Sequence, residues 1–166
     1  MRLFRRGPHP RPRPRHSLIP INLDVTDPEQ IDSAYDAISS YLSVSNMSLY
    51  ALINVAGGAV CAPLESIPLR DYRHQLDVEL VGRHEMARVF MPLLRQGMGR
   101  VINLGSVGGR AFVAGFGAYH VAKAGLAAET SVLRMEVARF GVGVSLIEPG
   151  GFSSESPSVC PVTTQI

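Results

Sequence analysis

Lys123, the only lysine among 166 residues, follows Tyr119 by four positions. On a helix its ammonium therefore lies one turn from the phenol. A free phenol ionises near pKa ~10 and is a poor base at neutral pH, but a cation held against it favours the phenolate and draws it toward the range useful to a general acid/base. Lysine's compact ammonium also keeps N–H donors for a ligand hydroxyl. Thirteen positions before Tyr119, Ser106 ends the run Arg100-Val-Ile-Asn-Leu-Gly-Ser106. An apolar stretch closing in glycine and serine predicts a buried strand that feeds a loop. The segment 107–118, with four glycines, then returns the chain to a helix bearing Tyr119. A serine hydroxyl, a phenol and an ammonium can thus converge on one reacting oxygen.

Other elements must position these groups. Leu49-Tyr-Ala-Leu-Ile53 is a second apolar run and ends in Asn54-Val-Ala-Gly57-Gly58, where glycines allow a ligand close to the backbone. Gly143-Val-Ser-Leu-Ile-Glu148 is a third, closing in Pro149-Gly150-Gly151. Between the runs, apolar residues recur at helical spacing: Leu76, Leu80, Ala87, Met91 and Leu94 within 71–95, and Ala122, Leu126, Leu133, Val137 and Phe140 within 118–140. Alternating strands and helices predict an α/β fold of right-handed crossovers, a parallel sheet with helices on both faces. Ligands on such sheets bind beyond the carboxyl ends of the strands. Asn54, Ser106 and Pro149 fall at those ends, so one crevice is expected to hold all three.

Taken together, these residues resemble the short-chain dehydrogenase/reductase family over 17–152. The resemblance implies a three-layer Rossmann-like fold and hydride transfer between NAD or NADP and an alcohol or carbonyl substrate. Ser106, Tyr119 and Lys123 match the catalytic serine, tyrosine and lysine in order and spacing. Tyr119 is then the general acid/base, Ser106 holds the substrate oxygen, and Lys123 supports the tyrosine and grips the nicotinamide ribose. Leu23-Asp24-Val25-Thr26-Asp27 resembles the segment at the adenine ring, which gives Asp24 and Val25 a cofactor-binding role. Asn54-Val-Ala56-Gly57 resembles the Asn-Asn-Ala-Gly motif, and Pro149-Gly150 the turn beside the nicotinamide. The wording Gly141-Val-Gly-Val-Ser-Leu-Ile-Glu148-Pro149-Gly150 looks most like branches acting on hydroxysteroids, retinols or 3-hydroxy acids. Family members associate through the helices matching 71–95 and 118–140, so a homo-oligomer is expected.

Two departures stand out. The glycine-rich Thr-Gly-x-x-x-Gly-x-Gly loop that holds the pyrophosphate does not occur in this sequence. The chain therefore reads as an N-terminally truncated or atypical member with its first βαβ segment missing, and weak cofactor binding and marginal stability are expected. The alternative is a catalytically silent remnant acting as an oligomerisation or binding module. Glu79 falls where the family carries asparagine. It is left outside the catalytic set, a solvated helix glutamate being the simpler reading.

Composition bounds the rest. A hydrophobic content of 46% suits a globular chain, and 18% charged residues is low for a soluble surface, consistent with subunit contact. Six arginines in 2–15 make a basic arm, leaving ten basic residues against fourteen acidic ones beyond it. The Pro/Arg-rich stretch 1–16 is expected to be a disordered arm, with nucleic-acid contact the lesser reading, and 153–166 a disordered tail. Cys61 and Cys160 lack metal-ligand spacing, so no metal is expected. With no long apolar segment and no secretion signal, a cytoplasmic location is expected.

Overall fold

A computed structural model describes residues 18–151. The expected arm 1–16 and tail 153–166 lie outside the described residues. The first helix, α1 (Pro28–Ser45), starts at a strong cap: the Asp27 carboxylate accepts from the Glu29 and Gln30 N–H groups, and proline follows at the first helical position. It ends at Asn46, whose φ of 50° places it in the left-handed conformation. Strand β1 (Ala51–Asn54) comes next. Helix α2 (Leu69–Leu76) runs through one π-helical turn (Asp77–Val81) into α3 (Gly82–Gly97). The remainder is β2 (Arg100–Leu104), α4 (Gly117–Val137) and β3 (Gly143–Ile147).

The three strands fall on the three apolar runs, and all pair parallel in the order β1-β2-β3. Leu52 stands beside Val101, and Val101 beside Val144. Because side chains alternate along a strand, these three share one face. Met91 and Leu94 of α3 and Val137 of α4 pack there, and Ile31 and Ala34 of α1 meet Met86, Phe90 and Leu93 of α3 next to it. Leu94 and Val101 are fully buried, each contributing roughly 1.5–3 kcal/mol by leaving water. Helical cover is densest on this face. Opposite it, Ile53 and Ile147 remain about half open to solvent.

Asn54 and Asn103 lie two residues beyond Leu52 and Val101, at the carboxyl end of the same face. The Asn54 amide donates to Asn103 at 2.9 Å, Asn103 donates to the Thr130 hydroxyl at 2.9 Å, and that hydroxyl donates to the Leu126 carbonyl at 2.6 Å. A buried polar chain thus ties β1, β2 and α4 together just below the loops. Among the described residues, no helix is long and apolar enough to cross a membrane, and no group of three or more His, Cys, Asp or Glu side chains is placed to hold a metal.

Candidate active site

Ser106 leaves β2 with extended backbone, and its hydroxyl accepts from the Gly108 N–H at 3.0 Å. Gly108 in turn lies against the ring of Tyr119: a β-carbon there would come 3.0 Å from Tyr119 Cε1 and 3.0 Å from His120 Nδ1. Glycine at this position lets the serine loop lie flat on the start of α4. His120, buried behind the tyrosine, contacts the Gly108 carbonyl through Nδ1 at 2.7 Å and accepts from the Val113 N–H through Nε2 at 2.9 Å. Those two partners require the neutral ring with its proton on Nδ1, so His120 serves as a clasp on the loop.

The same loop is laced to the end of β3. Gly105 donates to the Ile147 carbonyl at 2.7 Å, and Val107 donates to the Pro149 carbonyl at 3.1 Å. Arg110 forks onto Glu148 at 2.8 and 3.0 Å. Pro149 therefore sits one residue from Ser106 across the sheet end, with Gly150 exposed beside it. Ser106, Tyr119, Lys123 and Pro149 are brought to one crevice.

Lys123 is buried, with its Nζ 5.4 Å from the Tyr119 ring centroid, within the ~6 Å over which a cation and a ring attract. The ammonium donates to the Leu104 carbonyl at 2.9 Å and pairs with Glu79 Oε2 at 2.7 Å. Burial pushes the amine below its ordinary value; Glu79 raises it and Arg83 lowers it further. Arg83, also buried, reaches the same Glu79 oxygen at 2.8 Å and donates to the Leu104 and Ala56 carbonyls at 2.6 and 2.7 Å. Its guanidinium too is held below the ordinary value, chiefly by burial. The two contacts to Glu79 Oε2 are ion pairs rather than aligned hydrogen bonds, and Arg83 Nε has no hydrogen-bond partner among the described residues.

Glu79 is thus no solvated surface carboxylate; it is 1% exposed. Together with Gln75 and Arg83, at successive spacings of four, it forms a buried polar stripe along the α2–α3 rod. Gln75 accepts from Val60 N–H and donates to the Gly58 carbonyl, and Glu79 Oε1 accepts from Gly58 N–H at 3.0 Å. The stripe pins the backbone of the glycine loop after β1. Gly57 is required by this packing, since a β-carbon there would lie 2.2 Å from Glu79 Oε1.

The remaining sequence-derived residues divide. Ala56 and Gly57 border the crevice through their backbone. Asn54 spends its amide on Asn103 within the core and is 6% exposed. Asp24 accepts from the Thr26 N–H and hydroxyl at 2.8 and 2.7 Å, which lowers its pKa, the backbone N–H first. Val25 packs on the α1–α3 cluster, its carbonyl 2.5 Å from where a β-carbon on Gly82 would stand. Sequence reasoning gave no role to Gln75, Arg83, Asn103 or Thr130, and set Glu79 aside; the spacing of four linking 75, 79 and 83 was the available signal. A cavity of about 1070 Å3 opens along the start of α4, lined by Leu64, Phe112, Val113, Gly117, His120 and Val121; Tyr119 is not part of its lining.

The family model for short chain dehydrogenase matches residues 11–159. Retinol dehydrogenase 7 of Mus musculus is 41% identical over 130 residues, covering 78% of this chain and 40% of the relative. The 17-beta-hydroxysteroid dehydrogenase type 2 of Homo sapiens is 36% identical over 141 residues, covering 84% and 35%. The solved short-chain dehydrogenase from Streptomyces avermitilis superposes with a TM-score of 0.75 at 33% identity, over 82% of this chain and half of that one. The chain spans less than half the length of these curated relatives.

Proposed function

Because the chain belongs to the short-chain dehydrogenase family, we propose that it carries the acid/base end of a hydride transfer between NAD or NADP and an alcohol or carbonyl, with Tyr119 as the group that gives or takes the proton. The observation that carries this reading is the placement of Tyr119 between the Lys123 ammonium, 5.4 Å from its ring, and the Gly108 loop anchored on Ser106. Tyr119 is half-buried rather than sealed, so a substrate oxygen can reach its hydroxyl. Ser106 offers a second hydroxyl for the same oxygen once it turns from Gly108.

The residues present fit the reacting end of a dinucleotide. Lys123 donates to the Leu104 carbonyl and ion-pairs with Glu79, which leaves N–H donors for a ribose hydroxyl. Gly58 and Gly150 have open space where a β-carbon would stand, so a dinucleotide can come close to the backbone there. The pyrophosphate-binding glycine motif has no counterpart in the sequence, so this chain is expected to hold a dinucleotide weakly. When bound, the dinucleotide supplies or accepts the hydride. The protein's share is to place the carbonyl and move one proton through Tyr119.

An apolar alcohol or ketone of retinol or hydroxysteroid type is supported by the likeness to retinol dehydrogenase 7 and 17-beta-hydroxysteroid dehydrogenase type 2, and by the mostly aliphatic and aromatic lining of the cavity at the start of α4. The test is NADH- or NADPH-dependent reduction of an apolar ketone by the purified chain and by Tyr119→Phe. Removing the acid/base should cost about 10²-fold or more in rate at an unchanged melting temperature. Equal rates refute the assignment.

A second reading, a silent assembly module, is favoured by a 670 Å3 groove between α3 and α4, lined by Ala87, Met91, Leu133 and Val137 among charged rims. A homodimer through these helices would cover it. Sedimentation showing dimers, with no NADH or NADPH binding by titration calorimetry, would select this reading over the first.

A further inference from the structure

The Lys123 ammonium is held by a carboxylate that another buried cation shares. Glu79, Arg83 and Lys123 are 1%, 2% and 4% exposed. An isolated ion is costly at such depth, so each must be compensated where it stands. Glu79 Oε2 touches both cations, at 2.7 Å to Lys123 and 2.8 Å to Arg83, and the Leu104 carbonyl accepts from both as well. Glu79 Oε1 accepts from Gly58 N–H at 3.0 Å, and the carboxylate fills the space that a β-carbon on Gly57 would need. The carboxylate is thus held by one backbone N–H and two cations.

We propose that Glu79 is a positioning residue that keeps Lys123 charged and in register with Tyr119, and that Arg83 tunes this hold by competing for the same carboxylate oxygen. The meaning of that hold for catalysis rests on the acid/base reading of Tyr119; the ion-pair claim itself does not. The charged and titratable groups facing the amine are Glu79 from the π turn, Arg83 from α3 and Tyr119 from its own helix, while β2 contributes only the Leu104 carbonyl. Burial opposes the charged amine, Glu79 supports it, and Arg83 opposes it.

Lys123 being the only lysine, lysine labelled with 13C at Cε yields one side-chain signal, and its pH titration in the intact chain reports this amine alone. Glu79→Gln keeps the shape and removes the charge, and should lower the midpoint by about one pH unit or more. Arg83→Met removes the competing cation and should raise it. The double variant should fall below Arg83→Met. A loss of structure alone would not move the two single variants in opposite directions. Should Glu79→Gln fail to fold, the order of Arg83→Met above wild type and above the double variant carries the test. Midpoints that stay within about 0.3 unit of wild type, or that move in the same direction in both single variants, overturn the proposal. Opposed shifts in a chain without NAD(P)H-dependent turnover would overturn the acid/base reading and leave this one standing; turnover with unmoved midpoints would do the reverse.

Discussion

Thr130→Val isolates the polar chain beneath the crevice. Thr130 is fully buried, and its hydroxyl both accepts from the Asn103 amide at 2.9 Å and donates to the Leu126 carbonyl at 2.6 Å. Valine keeps the branched shape and fills the space with a methyl group. The Leu126 carbonyl retains its helical partner, the N–H four residues on. Asn103, 4% exposed, is left with a buried N–H donor and nothing to receive it. A stranded buried donor costs about 1–3 kcal/mol, and the new methyl recovers a fraction of that, so a net loss of about 1–2 kcal/mol is expected. For a chain of this size that corresponds to roughly 2–8 °C in melting temperature. Equilibrium urea unfolding followed by far-UV circular dichroism measures it, with Thr130→Ser as control. Serine keeps the hydroxyl and drops one methyl, so it should lose less than valine. A Thr130→Val chain as stable as wild type, or a serine variant that loses more, would show that Thr130 acts by packing and that the hydrogen-bonded chain contributes nothing.

Gly57→Ala drives a β-carbon into Glu79 Oε1, the oxygen that accepts from Gly58 N–H, on a carboxylate whose other oxygen pairs with Arg83 and Lys123. Overpacking of this kind costs about 1–3 kcal/mol, and urea unfolding should register it together with a displaced Lys123 signal. Lys123 also gives stability a pH dependence of definite sign. Its folded value lies below the ordinary one, so below that folded value the full cost of burying a charged amine is present. As pH rises from there toward the unfolded value near ~10.4, the unfolded state holds more protons than the folded state and stability increases. The comparison that isolates this amine is with Lys123→Met: unfolding free energy measured against pH should rise more steeply in wild type. A shallower slope in wild type would contradict the burial of this amine.

The strands were legible in the sequence because each is a short apolar run ending in turn residues, and a parallel strand needs little else. The serine–tyrosine–lysine crevice was legible because its spacing is local to one strand, one loop and one helix. Helix α1 carries a readable cap, Asp27-Pro28-Glu29-Gln30, and Ile31, Ala34, Ile38 and Leu42 behind it recur at helical spacing. Glu79 is less legible. The π turn over Asp77–Val81 inserts an extra residue into the helical count, so the apolar stripe marked by Leu76 and Leu80 does not show which side Glu79 faces. Burial of Gln75, Glu79 and Arg83 is set by backbone groups of the loop 56–60, which no residue-type pattern displays. Asn54 was placed correctly at its strand end, yet strand position does not reveal that Asn103 and Thr130 would claim its amide from below.

Three sets of contacts hold the reacting end of the crevice, and each joins a different pair of elements. The polar stripe of α2–α3 fixes the loop after β1; the Asn54–Asn103–Thr130 chain fixes the strand ends to α4; the Gly105, Val107 and Arg110 contacts fix the serine loop to the end of β3. None of these contacts uses a residue before Asn54. The polar contacts around Tyr119, Ser106 and Lys123 therefore all lie within 54–149, whereas dinucleotide affinity in this family is shared with a glycine-rich loop. Geometry for proton transfer and affinity for the dinucleotide are thus physically separable here. A tenfold change in cofactor affinity need not alter how Tyr119, Ser106 and Lys123 are arranged, so a lysine titration run without cofactor reports on that arrangement and not on the affinity.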